Sequence, residues 1–503
     1  MISAIGQLTS QSPRPSALYQ ALETIRRTAR RQFQPQLISI AFDISVVDPL
    51  SIFSQINQQQ TLSFYWEKSD RKQAMVAMDN AIKITVTGPN RFQQARDWVQ
   101  HHSDRLITPQ PTDELTQPRF LCGFPFLDNS GSSTQVSAQA PAQAFAQAVT
   151  ATLFLPRWQI STAYGDRSRT VAVLNLTINP HDDLEQLWRQ YQPQLNQIQT
   201  WGNTTTEISR DRSLSIVAPP PIQAWQNSDL GDGQDFVDGV KRAIADIQNG
   251  HLRKVVLSHV LDLKLSTPTH PATLLHNLRQ RYPNCYTFAF GTGTGQTFLG
   301  ASPECLVNIQ RYSSHSNQRH LYTEALAGSA PRGTNLVDDK QLGDRLLSNT
   351  KECHEHRLVA EFIIERLQQL GIQTNAIAPP QLRKLANIQH LHAPIAGPFP
   401  SHLSPLDAVA ALHPTPAVAG TPRPEAIARI AQYESFDRGF YAGPIGWVDG
   451  QGLGEFAVGI RSALLSGDRA RLYAGAGIVA GSDPHRELAE VRLKLQALLA
   501  ALV

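Results

Sequence analysis

The sequence lacks the features of a membrane protein, a nucleic-acid-binding protein or a disulfide-bonded protein. No apolar run approaches the roughly 20 residues that a membrane-spanning helix needs. Lys plus Arg number 45 against 42 Asp plus Glu, and no basic cluster alternates with aromatic residues, so we expect no nucleic-acid partner. The cysteines are far apart and form no C-x-x-C motif, which predicts free buried thiols and a cytoplasmic location. They are Cys122, Cys285, Cys305 and Cys353.

The length and the apolar content predict a large folded chain. With 503 residues the chain is too long for one ordinary core, and 41% hydrophobic residues are enough for a packed interior. The proline run at 219–221 and the polar run at 226–234 favour a boundary near residue 230. We therefore expect an N-terminal α+β region at 1–230, mostly structural, and a catalytic domain at 231–503.

The N-terminal region shows alternating patterns typical of strands and no pattern of site residues. We predict strands at 37–47, 61–66, 81–86, 120–126, 152–160 and 170–178, helices at 16–31, 91–101 and 182–198, and a surface loop at 129–148. The first 35 residues carry five arginines and one glutamate, so an organellar transit peptide is the alternative to a basic amphipathic helix there.

A helix beginning at Asn349 carries the first candidate site. Asn349 with Glu352 three residues later fits a helix start, and the apolar period continues to Gly371. The run from Cys353 to His356 looks like a soft-metal box, but consecutive helical residues point about 100° apart and cannot converge on one ion. Glu352 and Glu355 do share a face, exposed either to solvent or to a hard cation.

The C-terminal helix repeats this pair of carboxylates. Asp483 is its predicted cap, Glu487 and Glu490 share a face, and Lys494 follows Glu490 by one turn. An exposed salt-bridged surface is the simpler interpretation of each pair alone. Four carboxylates on two helices would suit Mg²⁺, which prefers oxygen ligands.

Other candidate residues lie on strands of the second region. Lys254 begins an apolar strand, so it lies either at a surface edge or in a cavity, where it could act as a base. Glu304 is either a solvated turn residue or a buried acid. The segments 459–462 and 473–479 read as strands, and Arg461 with Gly475 and the glycine at 477 suggests a pocket for a dianionic substrate. Glycines in strands also mark bulges.

Seven ordered motifs between residues 232 and 503 resemble the chorismate-utilising enzymes, and most closely the isochorismate synthases. The motifs are Lys254-Val-Val-Leu-Ser, Phe298-Leu-Gly-Ala-Ser-Pro-Glu, Leu326-Ala-Gly-Ser, His354-Glu-His, Leu412-His-Pro-Thr-Pro-Ala, Phe436-Asp-Arg and Tyr473-Ala-Gly-Ala-Gly-Ile-Val. The resemblance implies an α+β fold with two facing antiparallel β-sheets, helices packed outside and the active site between the sheets.

The resemblance also implies roles for individual residues. Lys254 matches the base that activates water for attack at ring carbon 2 of chorismate, and Glu304 matches the acid that protonates the departing 4-hydroxyl. Glu355 and Glu490 match the Mg²⁺ ligands, with Glu352 and Glu487 around them. The residues that match the substrate pocket are Ala327, Gly328, Ala417, Val418, Tyr441, Ile460, Arg461, Tyr473, Gly475 and Lys494.

Two alternatives within the family remain at this point, a salicylate synthase and an ammonia-using anthranilate or aminodeoxychorismate synthase subunit. The ammonia-using enzymes lack a lysine at position 254, and anthranilate synthases usually carry threonine where Ala417 stands. The resemblance therefore implies water as nucleophile, chorismate as substrate and no glutaminase subunit. We expect a monomer, and the sequence does not decide whether a quinone, a siderophore or salicylate is the end product.

Overall fold

The computed structural model describes residues 16–56, 61–109, 113–127, 149–204, 233–265, 268–312, 316–375 and 378–502. Within these ranges lie 19 β-strands and 11 α-helices, in the α+β class that the sequence predicts. The predicted loop at 129–148, the proline run at 219–221 and the boundary at 230 lie outside the described residues. We call 1–230 the first segment and 231–503 the second segment.

The first segment alternates strands with helices, as its sequence pattern predicts. Its elements are α1 Ser16–Gln32, β1 Gln36–Ile44, α2 Pro49–Phe53, β2 Leu62–Lys68, β3 Gln73–Val86, α3 Arg91–Ser103, β4 Leu106–Ile107, β5 Arg119–Gly123, β6 Ala151–Ala163, β7 Arg169–Ile178 and α4 Leu184–Thr204. Strand β3 begins eight residues before its predicted start at 81. A register shift between Asn80 and Ile82 interrupts the alternation, and residues 74–77 are buried without alternation.

The second segment contains most of the helices and strands of the described residues. Its elements are α5 Gln234–Gln248, β8 Lys254–Lys264, α6 Pro271–Arg281, β9 Tyr286–Thr292, β10 Gln296–Ser302, β11 Cys305–Arg311, β12 Arg319–Pro331, α7 Leu336–Ser348, α8 Thr350–Gln369, β13 Gln381–Lys384, β14 Ile388–Phe399, α9 Pro405–Leu412, β15 Gly420–Thr421, α10 Arg423–Tyr433, β16 Pro444–Asp449, β17 Gly454–Val458, β18 Ser462–Ser466, β19 Arg469–Val479 and α11 Pro484–Leu502.

The strands of both segments form one hydrogen-bonded network that branches at β6. One edge of β6 pairs with β3, and the network continues through β2, β9, β10, β18, β19 and β8. The other edge pairs with β5 at residues 152–154 and with β7 at 158–163. From β5 a second arm runs through β16, β17, β11, β12 and β14. The β2–β9 and β5–β16 pairs thus join the two segments directly.

The two arms face each other. Glu455 on β17 accepts hydrogen bonds from the Trp66 indole on β2 and the Tyr286 hydroxyl on β9. Phe290 on β9 meets Phe154 of β6 edge to face. A Cβ at Gly123 of β5 would lie 3.0 Å from the Phe290 ring, so glycine allows this close approach. These contacts agree with the expected arrangement of two facing sheets.

The helices that carry the predicted carboxylates pack outside the sheets and begin where the sequence predicts. Asn349 accepts a hydrogen bond from the Glu352 amide at 3.1 Å, which fixes the start of α8 against β12 and β14. Asp483 accepts from the His485 and Arg486 amides and starts α11, which packs on β19. No helix in the described ranges is both long and apolar enough to cross a membrane.

Candidate functional site

A cavity of about 80 Å³ lies where β8, β12, β14 and β19 approach α8 and α11. All ten residues predicted to bind substrate line it, together with Glu304, Glu355 and Glu490. The ten are Ala327, Gly328, Ala417, Val418, Tyr441, Ile460, Arg461, Tyr473, Gly475 and Lys494. Residues as far apart in the chain as Val256 and Lys494 therefore surround one space. Lys254 lies behind this lining and contacts Glu355, which is part of it.

Lys254 is fully buried, so the alternative of an exposed strand end is wrong. Its Nζ lies 2.8 Å from Glu355 Oε1 in an ion-pair contact. Glycine at 477 makes room for this pair, because a Cβ there would lie 2.3 Å from Glu355 Oε1 and 3.1 Å from Lys254 Cε. The sequence predicts that Gly477 offers its amide to an anion. In the structure, the absence of a side chain at Gly477 is what allows Lys254 and Glu355 to meet.

Glu304 is buried in the turn between β10 and β11 and lines the cavity, so it is not a solvated turn residue. Burial and, to a smaller extent, the negative charge of Glu324 raise the pKa of its carboxyl to about 8, against the opposing effects of Lys254 and Arg383. The carboxyl is therefore largely protonated at neutral pH. A protonated carboxyl next to a cavity can donate a proton to a leaving group.

The four predicted carboxylates of α8 and α11 come together, and each of them has a lysine within ion-pair distance. Ser329 joins the two helices, because its amide donates to Glu352 at 3.0 Å and its hydroxyl donates to Glu490 at 2.8 Å. Lys351 contacts Glu487 at 2.9 Å, and Lys494 contacts Glu490 at 2.6 Å.

The electrostatics of this acidic cluster depend on those lysines. Burial raises the pKa of Glu352 and of Glu487. The pKa of Glu490 is instead lowered, because the ammonium of Lys494 outweighs the effect of burial.

The donor chemistry of the acidic cluster fits a hard cation. All four side chains supply carboxylate oxygens, the ligands that Mg²⁺ prefers. In the described part of the chain, no three His, Cys, Asp or Glu side chains lie close enough to surround an ion as they stand. Lysine side chains instead lie within ion-pair distance of all four, Lys254 at Glu355, Lys351 at Glu352 and Glu487, and Lys494 at Glu490. A bound cation would therefore compete with these lysines for the carboxylate oxygens.

Arg461 lines the same cavity as Glu355 and Glu490, in a conformation that the sequence did not predict. The prediction of a strand over 459–462 is wrong, because β18 begins at Ser462 and Arg461 has a φ of +51°. This left-handed residue brings its carbonyl oxygen against Gly300, where a Cβ would lie only 2.6 Å away. The buried Arg461 guanidinium approaches Nε2 of His390 at 3.1 Å.

His390 is a cavity residue that sequence reasoning missed. It lies on β14, and burial together with the nearby Arg461 lowers its pKa well below the usual value, so the ring is neutral. The neighbouring Gln389 is fully buried as well. Polar residues inside an otherwise apolar strand are the same signal that identified Lys254, and they could have identified His390.

A buried ion pair beneath the cavity fixes two of its walls. The Arg438 guanidinium pairs with Glu434 and donates to the carbonyl oxygens of Val418, at 2.8 Å, and Val256, at 2.9 Å. Glu434 also accepts from the Ser258 amide. The sequence predicts no role for the motif containing Arg438. In the structure, Arg438 supports the strand and loop backbone that form two walls of the cavity.

The aromatic side of the cavity is formed by two stacked tyrosines. The Tyr441 and Tyr473 rings lie parallel with their centroids 5.0 Å apart. The Gly475 carbonyl accepts a hydrogen bond from Lys494 at 2.8 Å, and a Cβ at this glycine would lie 3.0 Å from the Tyr441 hydroxyl oxygen. Gly475 thus permits the close approach of the Tyr441 hydroxyl, and its carbonyl is the point where Lys494 of α11 attaches.

The cysteine and histidine neighbours of Glu355 have separate partners. The His356 ring is buried against the Ala325 carbonyl at 3.3 Å, and the Cys353 thiol approaches the Leu347 carbonyl. These directions diverge along the helix, as the 100° spacing predicts. All four cysteines are free thiols, with only Cys353 partly exposed.

A larger cavity of about 550 Å³ lies elsewhere between the two arms. Its charged groups have partners in the protein, with the Arg119 guanidinium 3.9 Å from the Trp447 ring centroid and Arg71 3.3 Å from Glu455. None of the predicted site residues lines it. The smaller cavity is the better candidate for catalysis because a buried lysine, a protonated carboxyl and the acidic cluster meet there.

Comparisons with known proteins show the family to which the fold belongs. The model of the family described as chorismate binding enzyme matches residues 20–503. A salicylate biosynthesis isochorismate synthase of Pseudomonas aeruginosa is 31% identical over 500 residues, covering 97% of this chain and 96% of that protein. The isochorismate synthase DhbC of Bacillus subtilis is 40% identical over 277 residues, 54% of this chain and 68% of that protein. The solved structure of MenF, the menaquinone-specific isochorismate synthase from Escherichia coli, has a TM-score of 0.66 and 26% identity, covering 97% of this chain and 100% of that one.

Proposed function

This chain belongs to the family of chorismate-binding enzymes, and from that premise we propose that it converts chorismate reversibly to isochorismate. The observation that carries the proposal is a buried lysine and a buried protonated glutamate at one small cavity. Water is the nucleophile in this reaction, since Lys254 stands where the ammonia-using relatives have no lysine. The location is proposed to be cytoplasmic, and the active unit a monomer without a glutaminase.

The two proposed catalytic residues divide the proton transfers. Lys254, in its neutral amine form, accepts a proton from water as the oxygen attacks ring carbon 2. The ring double bonds shift, the bond from carbon 4 to its hydroxyl breaks, and Glu304 donates the proton that releases water. The reaction is reversible because the bonds formed and broken are of the same kind. Proximity and acid–base transfer supply most of the catalysis.

The substrate carboxylates are proposed to bind at opposite ends of the cavity. Arg461 is suited to the enolpyruvyl carboxylate, because its hydrogen-bonding neighbour His390 is neutral and leaves the guanidinium charge uncompensated. Tyr441, Tyr473 and Gly475 complete that end. Glu355 and Glu490 would hold Mg²⁺, with Glu352 and Glu487 around them. The bound cation would neutralise the ring carboxylate of the substrate.

Product identification from chorismate tests the proposal. Purified protein is incubated with chorismate, with and without Mg²⁺, and the products are separated by liquid chromatography and identified by mass spectrometry. We expect isochorismate only in the presence of Mg²⁺, approached from either direction. Salicylate with pyruvate would identify a salicylate synthase instead. Aminated product in ammonium salts would identify an ammonia-using subunit, and unchanged chorismate would overturn the enzymatic proposal.

A further inference from the structure

The turn that carries Glu304 is held by its backbone. The Glu304 amide donates to the Ser302 hydroxyl at 3.2 Å, and the Glu304 carbonyl accepts from the Val458 amide at 3.2 Å. These bonds fix the main chain between β10 and β11. The direction of the Glu304 side chain also depends on the neighbouring residues Pro303 and Cys305.

One buried glutamate, Glu324 on β12, reaches both flanks of that turn. Its Oε1 accepts a hydrogen bond from the Cys305 amide at 2.8 Å, directly after Glu304. The same oxygen accepts from Arg383 at 2.7 Å, and Arg383 donates at 2.8 Å to the Pro303 carbonyl, directly before Glu304. Glu324 and Arg383 thus enclose Glu304 between two charge-assisted contacts.

The second oxygen of Glu324 is also occupied. His392 Nε2 lies 2.8 Å from Glu324 Oε2 and 3.0 Å from the Arg383 guanidinium. Because a guanidinium only donates, the Nε2 atom cannot accept from Arg383 and donate to Glu324 at the same moment. The arrangement in which Nε2 donates to Glu324 satisfies the carboxylate, and Arg383 then keeps Pro303 and Glu324 as its acceptors.

On the basis of the function proposed above, we propose that Glu324 is a positioning residue that holds the Glu304 carboxyl at the cavity in its proton-donating form. It acts in two ways. Its hydrogen bonds fix the peptides on either side of Glu304, and its negative charge disfavours a second carboxylate beside it. Glu324 contacts neither the proposed metal ligands nor Lys254 in the hydrogen bonds described, so its effect reaches the reaction through Glu304.

The charges that face Glu304 support this assignment. Burial raises the pKa of Glu304 most, Glu324 on β12 raises it further, and Lys254 on β8 and Arg383 on β13 oppose the rise. Glu324 itself remains ionised, because His392 and Arg383 outweigh the effect of burial and lower its pKa. Two carboxyl groups in one buried region thus have opposite protonation states at neutral pH.

Two substitutions at this pair have opposite expected effects on the pH profile of kcat. Glu324→Gln keeps an acceptor for the Cys305 amide and removes the negative charge, so the basic limb moves to lower pH. Arg383→Gln removes a cation facing Glu304, so the basic limb moves to higher pH. A shift of about 1 pH unit is the typical effect of one charge a few ångströms away. KM for chorismate changes much less than kcat in both variants. The proposal would be overturned if kcat changed by the same factor at every pH, so that the basic limb of the pH profile stayed at the same pH in both variants.

Glu67→Gln is the matched control. Glu67 is another buried glutamate paired with an arginine, Arg279, and it does not line the cavity. Its replacement is expected to leave the basic limb unchanged. A shift as large as that of Glu324→Gln would show that the effect is a general response to lost buried charge, and would also overturn the proposal.

A spectroscopic measurement separates this proposal from the proposed function. Infrared difference spectra between the parent protein and Glu304→Gln isolate the protonated carboxyl band of Glu304, which can be titrated without turnover. In the Glu324→Gln background this band is expected to disappear at lower pH, whatever the reaction catalysed. An unchanged titration overturns the role of Glu324, whereas the lack of isochorismate from the parent protein overturns only the proposed function.

Discussion

Two buried clusters of charged residues in this molecule have similar composition but differ in their access to a cavity. In the Arg279 cluster, formed by Asp48, Tyr65, Glu67 and Arg279, the guanidinium forms two bonds to Asp48 at 2.6 and 3.0 Å. Tyr65 donates to Glu67, which also lies 3.5 Å from Arg279. The cluster joins α6 of the second segment to α2 and β2 of the first, and each charge is met by a fixed partner.

The Lys254 cluster, formed by Lys254, Glu304 and Glu355, is built differently. Lys254 and Glu355 meet at 2.8 Å beside an open cavity, and the pKa of Glu304 is raised to about 8. Two members of this cluster, Glu304 and Glu355, thus line a cavity, whereas none of the Arg279 cluster does. Burial of a charged residue therefore indicates a functional site only when the residue also has access to a cavity and its ion-pair partner is known.

Replacement of the proposed base in the Lys254 cluster should have the largest effect on kcat. Lys254→Ala should lower kcat by about 10²-fold to 10⁴-fold, the usual range for loss of an acid or base, while KM for chorismate changes little. Steady-state kinetics on purified protein measure this. Lys264→Ala, at the exposed far end of the same strand, is the control and should retain normal kcat. A near-normal kcat in Lys254→Ala refutes the base assignment.

The next effect concerns Mg²⁺. Glu355→Gln and Glu490→Gln should each raise the Mg²⁺ concentration needed for half-maximal activity by at least about tenfold, since each removes a charged oxygen ligand. Isothermal titration of Mg²⁺ in the presence of chorismate gives a second readout. Glu361→Gln, on an exposed position of α8, should bind Mg²⁺ normally. The same metal dependence in all three variants would move the ion to another site.

The pH dependence gives a smaller and more specific effect. Because Glu304 must be protonated to donate, and burial raises its pKa to about 8, kcat should be high below pH 8 and fall about tenfold per pH unit above it. Rates measured from pH 6 to 10 test this, with folding checked by circular dichroism at each pH. Glu304→Gln should lose activity at every pH. A profile that is flat from pH 7 to 9.5 contradicts the assignment.

The smallest effect on catalysis is expected in the Arg279 cluster. Arg279→Gln leaves Asp48 and Glu67 without their cation, and such losses typically cost about 3–5 kcal/mol of stability. The temperature of half-unfolding should therefore drop, while kcat per folded molecule stays normal at 20 °C. Differential scanning calorimetry with parallel kinetics measures both quantities. If Arg279→Gln lost as much kcat as Lys254→Ala, the conclusion that only the Lys254 cluster takes part in catalysis would be wrong.

The sequence predicts the elements and most members of the site because their signals are local. The helix starts at Asn349 and Asp483, the strand at Lys254 and the paired carboxylates follow from spacing and capping alone. The seven motifs then assign the residues around the cavity to a common site. These predictions needed no knowledge of which element packs against which.

What the sequence could not predict depends on partners distant in the chain. The left-handed Arg461 follows from the close approach of its carbonyl to Gly300. The pairing of Lys254 with Glu355, about 100 positions away, arises only when β8, β19 and α8 meet. In the same way, Glu324 reaches Glu304 through Arg383, so no local pattern connects them.

The long-range strand pairs also bear on synthesis of the protein. Leu62 of β2 pairs with Thr292 of β9, a separation of 230 positions (292 − 62), and Cys122 of β5 pairs with Gly446 of β16. During translation the early strands leave the ribosome with one edge still lacking its partner. Such non-local pairing makes folding slow, and open strand edges attract other chains. We therefore expect that folding of the nascent chain finishes only after β16 has emerged, and that chaperones able to cover strand edges raise the yield of active protein.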